Sequence, residues 1–256
     1  MTQLAAKRRR RTSGTSQAGM TLIEVLVAVS LFGLLSVGIL ESLRVGINAM
    51  ERGNDRMMEN RRAAYAARIL QAELAGFMPE LAVFRVSPQS ALQSMPFFQG
   101  EPDTSRFIST YSLQAASRGA PQILEFHVIP RDDNHGVRLI VNELPYTGPA
   151  STGALCLGYA MSEPGSTVRI PLFRPVEAGP NSFVLADKLA YCHFAFLSAR
   201  YLQPPVWVDH WTQFSWPIAI RFEMQPLDPD PSRLQPMTVT AAIHVTKDTT
   251  LNYADE

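Results

Sequence analysis

Residues 20–40, MTLIEVLVAVSLFGLLSVGIL, form an apolar run with no proline, lysine or arginine. As a helix this run would measure roughly 31 Å, close to the roughly 30 Å hydrocarbon core of a bilayer. Such a segment belongs in lipid, and it fixes the topology of everything after it. One residue breaks the pattern. Glu24, fifth in the run, sets a carboxylate at the edge of the hydrocarbon, where a charge is unfavourable unless protonated or paired.

The flanking charge orients the segment. Of 23 basic residues in the 256-residue chain, five (Lys7 and Arg8 to Arg11) stand ahead of the run with no acid among them, leaving 18 basic against 23 acidic, a net of −5. Confinement of the basic run to the extreme N-terminus does not suggest a nucleic-acid protein, and its position just ahead of an apolar span favours a positive-inside role over a nuclear-type signal or an RNA-binding arm. A secretory signal has a shorter apolar region followed by a small-x-small cleavage site. Here the run is longer, no Ala-x-Ala follows it, and the small residues Gln17-Ala18-Gly19 precede it. That order is reversed.

The stretch Gly19-Met20-Thr21-Leu22-Ile23-Glu24-Val25-Leu26-Val27-Ala28 resembles the N-terminal signature of type IV pilins and type II secretion pseudopilins. The resemblance implies a basic leader (1–19) removed by a prepilin peptidase between Gly19 and Met20, N-methylation of Met20, and an assembly role for Glu24. Two departures stand beside it: methionine replaces the usual phenylalanine after the cut, and the leader is longer than is common. The chemistry is coherent in itself. Glycine before the scissile bond presents no side chain to a membrane-embedded active site. Cleavage creates an α-amine, titrating near pH 8, at the depth of Glu24. An amine on one subunit and a carboxylate on its neighbour would neutralise each other, so lateral assembly relieves both burial penalties. The plainer alternative is a glutamate that snorkels to the headgroups of a simple signal anchor.

Beyond the span, residues 41–78 read as an amphipathic continuation of the helix. Leu43, Ile47, Met50, Met58, Tyr65, Ile69 and Leu74 recur near helical spacing, with Arg52, Arg56, Arg61, Arg62 and Arg68 between them. The apolar set is expected to pack on a globular domain and the basic set to face solvent or neighbouring subunits. Gly33, Gly38, Gly46 and Gly53 each weaken the helix slightly, and Pro79 ends it. From 79 to 256 the pattern changes to short strands, at 81–86, 123–129, 137–144, 154–161, 168–174, 183–186, 189–201, 218–225 and 237–245. HVIPRDDNHGVRLIV and YAMSEPGSTVRIPLF each read as strand, turn, strand. One long helix followed by many strands predicts an α+β fold, the pilin-like arrangement of a helix packed on antiparallel sheet.

The C-terminal half is similar, more loosely, to the J-type minor pseudopilins. LAYCHFAFLSARYL, running through Phe196 to Tyr201, then a loop with Trp207, Trp211 and Trp216, then Pro217-Ile218-Ala219-Ile220, follow that subclass in type and order. The tryptophan loop reads either as an aromatic partner surface or, more plainly, as a lid whose indoles complete the core.

No enzymatic site assembles from the sequence. His127, His193 and His244 fall in expected strands, His135 in a turn and His210 in the tryptophan loop, without zinc-ligand spacing. Asp228 and Asp230 are separated by proline, as in a solvated turn. ASTGALCLG lacks the P-loop lysine and a G-x-S-x-G nucleophile. Cys156 and Cys192 are the only cysteines. A cross-sheet disulfide between them and a pair of buried free thiols both stand open.

The expected function is therefore structural and not enzymatic, with no cofactor and no nucleic acid. The resemblance implies a minor pseudopilin at the pseudopilus tip of a type II secretion system. Its partners would be other minor and major pseudopilins, prepilin peptidase and an inner-membrane assembly platform. It would cross the bacterial inner membrane once, N-terminus in the cytoplasm, with residues 79–256 in the periplasm. The alternatives are a minor pilin of a type IV pilus or DNA-uptake machine, and a membrane-anchored periplasmic binding domain or enzyme.

Overall fold

A computed structural model describes residues 19–113, 115, 117–161, 169–200, 202–227, 236–245 and 247; for 55–64, 169 and 200 only the backbone is described. The basic leader residues Lys7 to Arg11, Tyr201, and Asp228 and Asp230 lie outside the described residues, as do the side chains of Arg56, Met58, Arg61 and Arg62. The chain divides into two compact units between Asn54 and Asp55.

The first unit is helical. Helix α1, Leu22–Ala75, begins there and runs on into the second unit. Gly33, Gly38, Gly46 and Gly53 do not interrupt the helix, because a single glycine costs about 1 kcal/mol in a helix of 54 residues. Leucine, valine and isoleucine between 22 and 47 are exposed on every side. A helix apolar all round lacks the two-faced pattern of a surface helix. Ser30 and Ser36 return their hydroxyls to the carbonyls of Leu26 and Phe32, each at 2.8 Å, so neither presents a bare donor.

The second unit holds the sheet and the last turns of α1. Its main sheet takes strands β1 (Phe77–Met78), β4 (Gln99–Gly100), β5 (Thr104–Ser112), β6 (Ser117–Pro130), β7 (Val137–Pro145), β10 (Phe183–Arg200), β11 (Gln203–Val208), β12 (Ala219–Pro226) and β13 (Met237–Ala242). The order is β1-β5-β6-β7-β10-β12-β13, with β4 beside β5 and β11 beside β10. Two hairpins stand apart, β2 (Leu81–Phe84) with β3 (Gln93–Pro96), and β8 (Cys156–Met161) with β9 (Arg169–Phe173). A single-turn helix α2, Pro149–Gly153, meets β2, where Thr152 Oγ1 donates to the Leu81 carbonyl at 3.2 Å. All strand pairings described are antiparallel. This is the α+β arrangement of one long N-terminal apolar helix followed by antiparallel sheet.

Strand alternation divides the core in two. Phe107, Leu124, Phe126, Leu139, Val141, Phe194, Phe196, Ile220 and Phe222 gather with Leu70 and Leu74 of α1. Ile108 and Ile123 point the other way, meeting Ala82, Phe84, Met95, Phe97 and Cys156 from the hairpins. The helix face that enters the core is Ala66, Leu70, Glu73 and Leu74. Leu74 is buried as expected, whereas Tyr65, expected on that face, is exposed and Ile69 is half-buried, with Ala66 and Leu70 buried in their place. Arg52 and Arg68 are exposed.

The hairpin HVIPRDDNHGVRLIV forms as read, His127 opposite Ile140, and YAMSEPGSTVRIPLF pairs Tyr159 with Pro171. Residues 183–186 and 189–201, expected as two strands, belong to one. Lys188 takes a left-handed conformation (φ 56°) and the register slips between Ala186 and Leu189, so the polar pair Asp187-Lys188 marks a bulge within β10.

Candidate functional site

Gly19, Met20 and Thr21 precede α1, which opens as the amides of Glu24 and Val25 donate to the Thr21 carbonyl at 3.1 and 3.3 Å. Thr21 thus stands where a helix N-cap stands, and Glu24 is the third helical residue. Thr-x-x-Glu is the spacing of a capping box, and an acid in the first turn sits favourably against the helix dipole. Glu24 therefore has a local reason to be at this position in addition to any intermolecular one. The sequence carried that signal in Thr21. Met20, Leu22 and Ile23 are 72–86% exposed, and nothing lies within 4 Å of the position a Cβ would take on Gly19. The segment is open on all sides to an enzyme or a neighbouring helix. Over Leu22–Asn54 the helix is long and apolar enough to cross a membrane, with none of its most apolar stretch buried.

Residues 14–40 match the family described as the prokaryotic N-terminal methylation motif. The motif is the signal of type IV pilin-like and pseudopilin chains, and implies processing by prepilin peptidase, membrane anchoring and assembly with other pilin-like chains. The match ends before the sheet domain begins. No curated protein and no solved structure matches the chain.

The cysteines occupy different clusters. Cys156, on β8, lies with Phe97 and Ile108, and Cys192, on β10, lies with Phe194 and Met224 on the helix side of the sheet. Both are buried free thiols. No bridge joins them, because the sheet stands between their clusters. Burial pushes each thiol up to about 12, so neither supplies a thiolate nucleophile near neutrality.

The tryptophans divide. Trp211 and Trp216 are buried in the core, Trp211 edge-on to Phe98 at 6.0 Å with its Nε1 donating to the Ser215 carbonyl at 2.7 Å. Trp207 is in a strand, not a loop: Pro204 and Pro205 enter β11, which pairs only with β10, and an edge tolerates the missing amides. Its indole stacks on Arg221, 4.2 Å from guanidinium carbon to ring centre. Two histidine–carboxylate pairs flank it, His193 with Asp209 at 3.2 Å and His210 with Glu101 at 2.6 Å. His127 Nδ1 meets the Thr104 hydroxyl at 2.8 Å, and His244 follows the end of β13. Among the described residues no three His, Cys, Asp or Glu side chains gather as a metal site.

The sequence did not disclose the buried charged side chains Arg106, with its partner Glu125, and Glu73. Arg106, in the middle of β5, is wholly buried. It donates to Glu125 Oε1 at 2.8 Å, Gln99 Oε1 at 2.7 Å and the Arg174 carbonyl at 2.9 Å. Glu73, in the last turn of α1, is also wholly buried, and among the described residues neither carboxylate oxygen has a hydrogen-bond partner. No periodicity argument finds either, because both stand at positions where the pattern asks for an apolar residue.

Proposed function

We propose that this chain is a minor pseudopilin, a structural subunit at the tip of a type II secretion pseudopilus, most like the J-type subunits. The supporting observation is the methylation motif in register with an unburied apolar helix, Gly19 and Met20 ahead of it and Glu24 in its first turn. Prepilin peptidase cuts after Gly19, the new Met20 amine is methylated, and Glu24 neutralises a neighbouring subunit's amine. The apolar helix stays in the bacterial inner membrane and the sheet domain stands in the periplasm. The role is assembly without catalysis, cofactor or metal, its partners being other pseudopilins and the inner-membrane platform. The sequence order of Phe196, the tryptophans and Pro217-Ile218-Ala219-Ile220 supports the J-like reading, as does a sheet domain of this size.

The test is complementation. In a strain lacking its own copy, wild-type protein should restore secretion and co-purify with co-encoded pilin-like subunits after crosslinking. Restoration of twitching or DNA uptake instead, with secretion unaffected, would assign it to a type IV pilus. An activity retained by a Gly19→Leu precursor that assembles with nothing would contradict both readings.

A further inference from the structure

The end of α1 is stitched to β5. Ser109 Oγ donates to the Glu73 carbonyl at 2.8 Å, the Thr110 amide donates to the Gly76 carbonyl at 2.8 Å, and Phe77 pairs with Ser109. A Cβ on Gly76 would come 2.5 Å from Ser109 Oγ, so only glycine allows this approach. Into the same joint the helix inserts the carboxyl of Glu73, shut off from water on both oxygens.

The surroundings are wrong for an anion. β5 presents the Ser109 hydroxyl, whose proton is given to the main chain. β6 presents Gln122 and Leu124 on this face, and β7 presents a second acid, Glu143, opposite Leu124. The helix itself offers Ile69 and Leu70 one turn earlier. No cation acts on Glu73 from any of these elements. A buried charge without a partner is strongly disfavoured, whereas a neutral acid is tolerated.

We propose that the joint between the last turn of α1 and β5 is a proton-operated fastening, closed while Glu73 is a neutral acid and loosened when that carboxyl gives up its proton. Burial, with a smaller contribution from the Glu143 charge and against the nearby Ser109 hydroxyl, raises the Glu73 carboxyl from 4.5 to about 8. The sign follows from proton linkage. Between these values the closed joint holds a proton that the open joint has lost, so stability is complete below 4.5 and declines as pH rises towards 8. The opening constant climbs about tenfold per pH unit in that window and levels off above it. The inference stands independently of the function proposed above.

The experiment is hydrogen exchange by mass spectrometry on the full-length chain in lipid nanodiscs, corrected for the intrinsic pH dependence of amide exchange. Peptides covering 70–78 and 104–113 report the joint, including the Thr110 amide. Protection there should fall about 100-fold over two pH units below neutrality, keep falling towards pH 8 and level above it, while β12 remains unchanged. Glu73→Gln should abolish the slope. Glu143→Gln keeps an acceptor for the Leu113 amide, which Glu143 Oε1 receives at 2.9 Å, and should move the levelling point to lower pH. A wild-type joint whose protection ignores pH, or a Glu73→Gln joint that keeps the slope, overturns the proposal. Should Glu73→Gln fail to fold, Glu143→Gln decides, and an unmoved levelling point overturns it.

Discussion

Replacing Arg106 by methionine removes a wholly buried side chain that bonds to three partners. The guanidinium bridges Glu125 on β6, Gln99 on β4 and the Arg174 carbonyl beyond β9, and lies 5.5 Å from the centre of the Phe173 ring. Burial lowers its pKa, with Glu125 opposing that shift, and an arginine so paired keeps its charge. Methionine fills much of the volume but leaves Glu125, itself 6% exposed, with the 3.2 Å contact to Asn142 Nδ2 as its remaining side-chain bond. Breaking one side of a buried pair costs roughly 3–5 kcal/mol. For a chain of this size that is a fall in Tm of roughly 6–20 °C. The companion variant carries Arg106→Met and Glu125→Leu together. With both charges gone, most of the loss should return, because apolar packing commonly equals a buried pair. Thermal unfolding of the detergent-solubilised chain, followed by near-UV circular dichroism, reads both. A single variant within about 1 kcal/mol of wild type, or a double variant no better than the single, would refute the claim that the pair's mutual neutralisation governs this site.

Glu24→Val should insert and be cleaved as wild type but fail to support assembly, as read by secretion and by processing on the same samples; normal assembly would remove the charge-pairing account. Native Cys156 and Cys192 should resist a maleimide reagent until the chain is denatured and then react equally with or without prior reductant; a reductant requirement would mean they are bonded. Gly153→Ala drives a Cβ into the Val83 carbonyl and should cost about 1–3 kcal/mol, seen as a lower denaturation midpoint with an unchanged slope; no shift would show that α2 yields freely against β2.

The fold was legible where pattern and burial coincide. The hairpin from β6 to β7 is readable because runs rich in apolar residues flank the polar turn Arg131 to Gly136. The apolar helix is readable because nothing charged except Glu24 interrupts residues 20–40. β5 was not, although it is central. Its sequence TSRFISTYS is dominated by hydroxyls and an arginine, and what buries them is contact with Glu73, Glu125 and Arg174, distant in sequence. The same cause hid the joint at the end of α1, where the buried face takes in Glu73 beside Leu70 and Leu74. The methylation motif over residues 14–40 was readable because its signal is local and linear. The paired histidines and the Trp207–Arg221 stack depend on strand register, which a single sequence does not disclose.

The central claim is that the leader is removed at Gly19 while the apolar helix is kept. N-terminal sequencing with intact-mass spectrometry of the membrane-extracted protein tests it directly. The account predicts a chain that begins at Met20, carries a methyl group on its α-amine and still fractionates with the membrane. A chain that retains Met1 in the presence of active prepilin peptidase would contradict it, as would a soluble product beginning near residue 42.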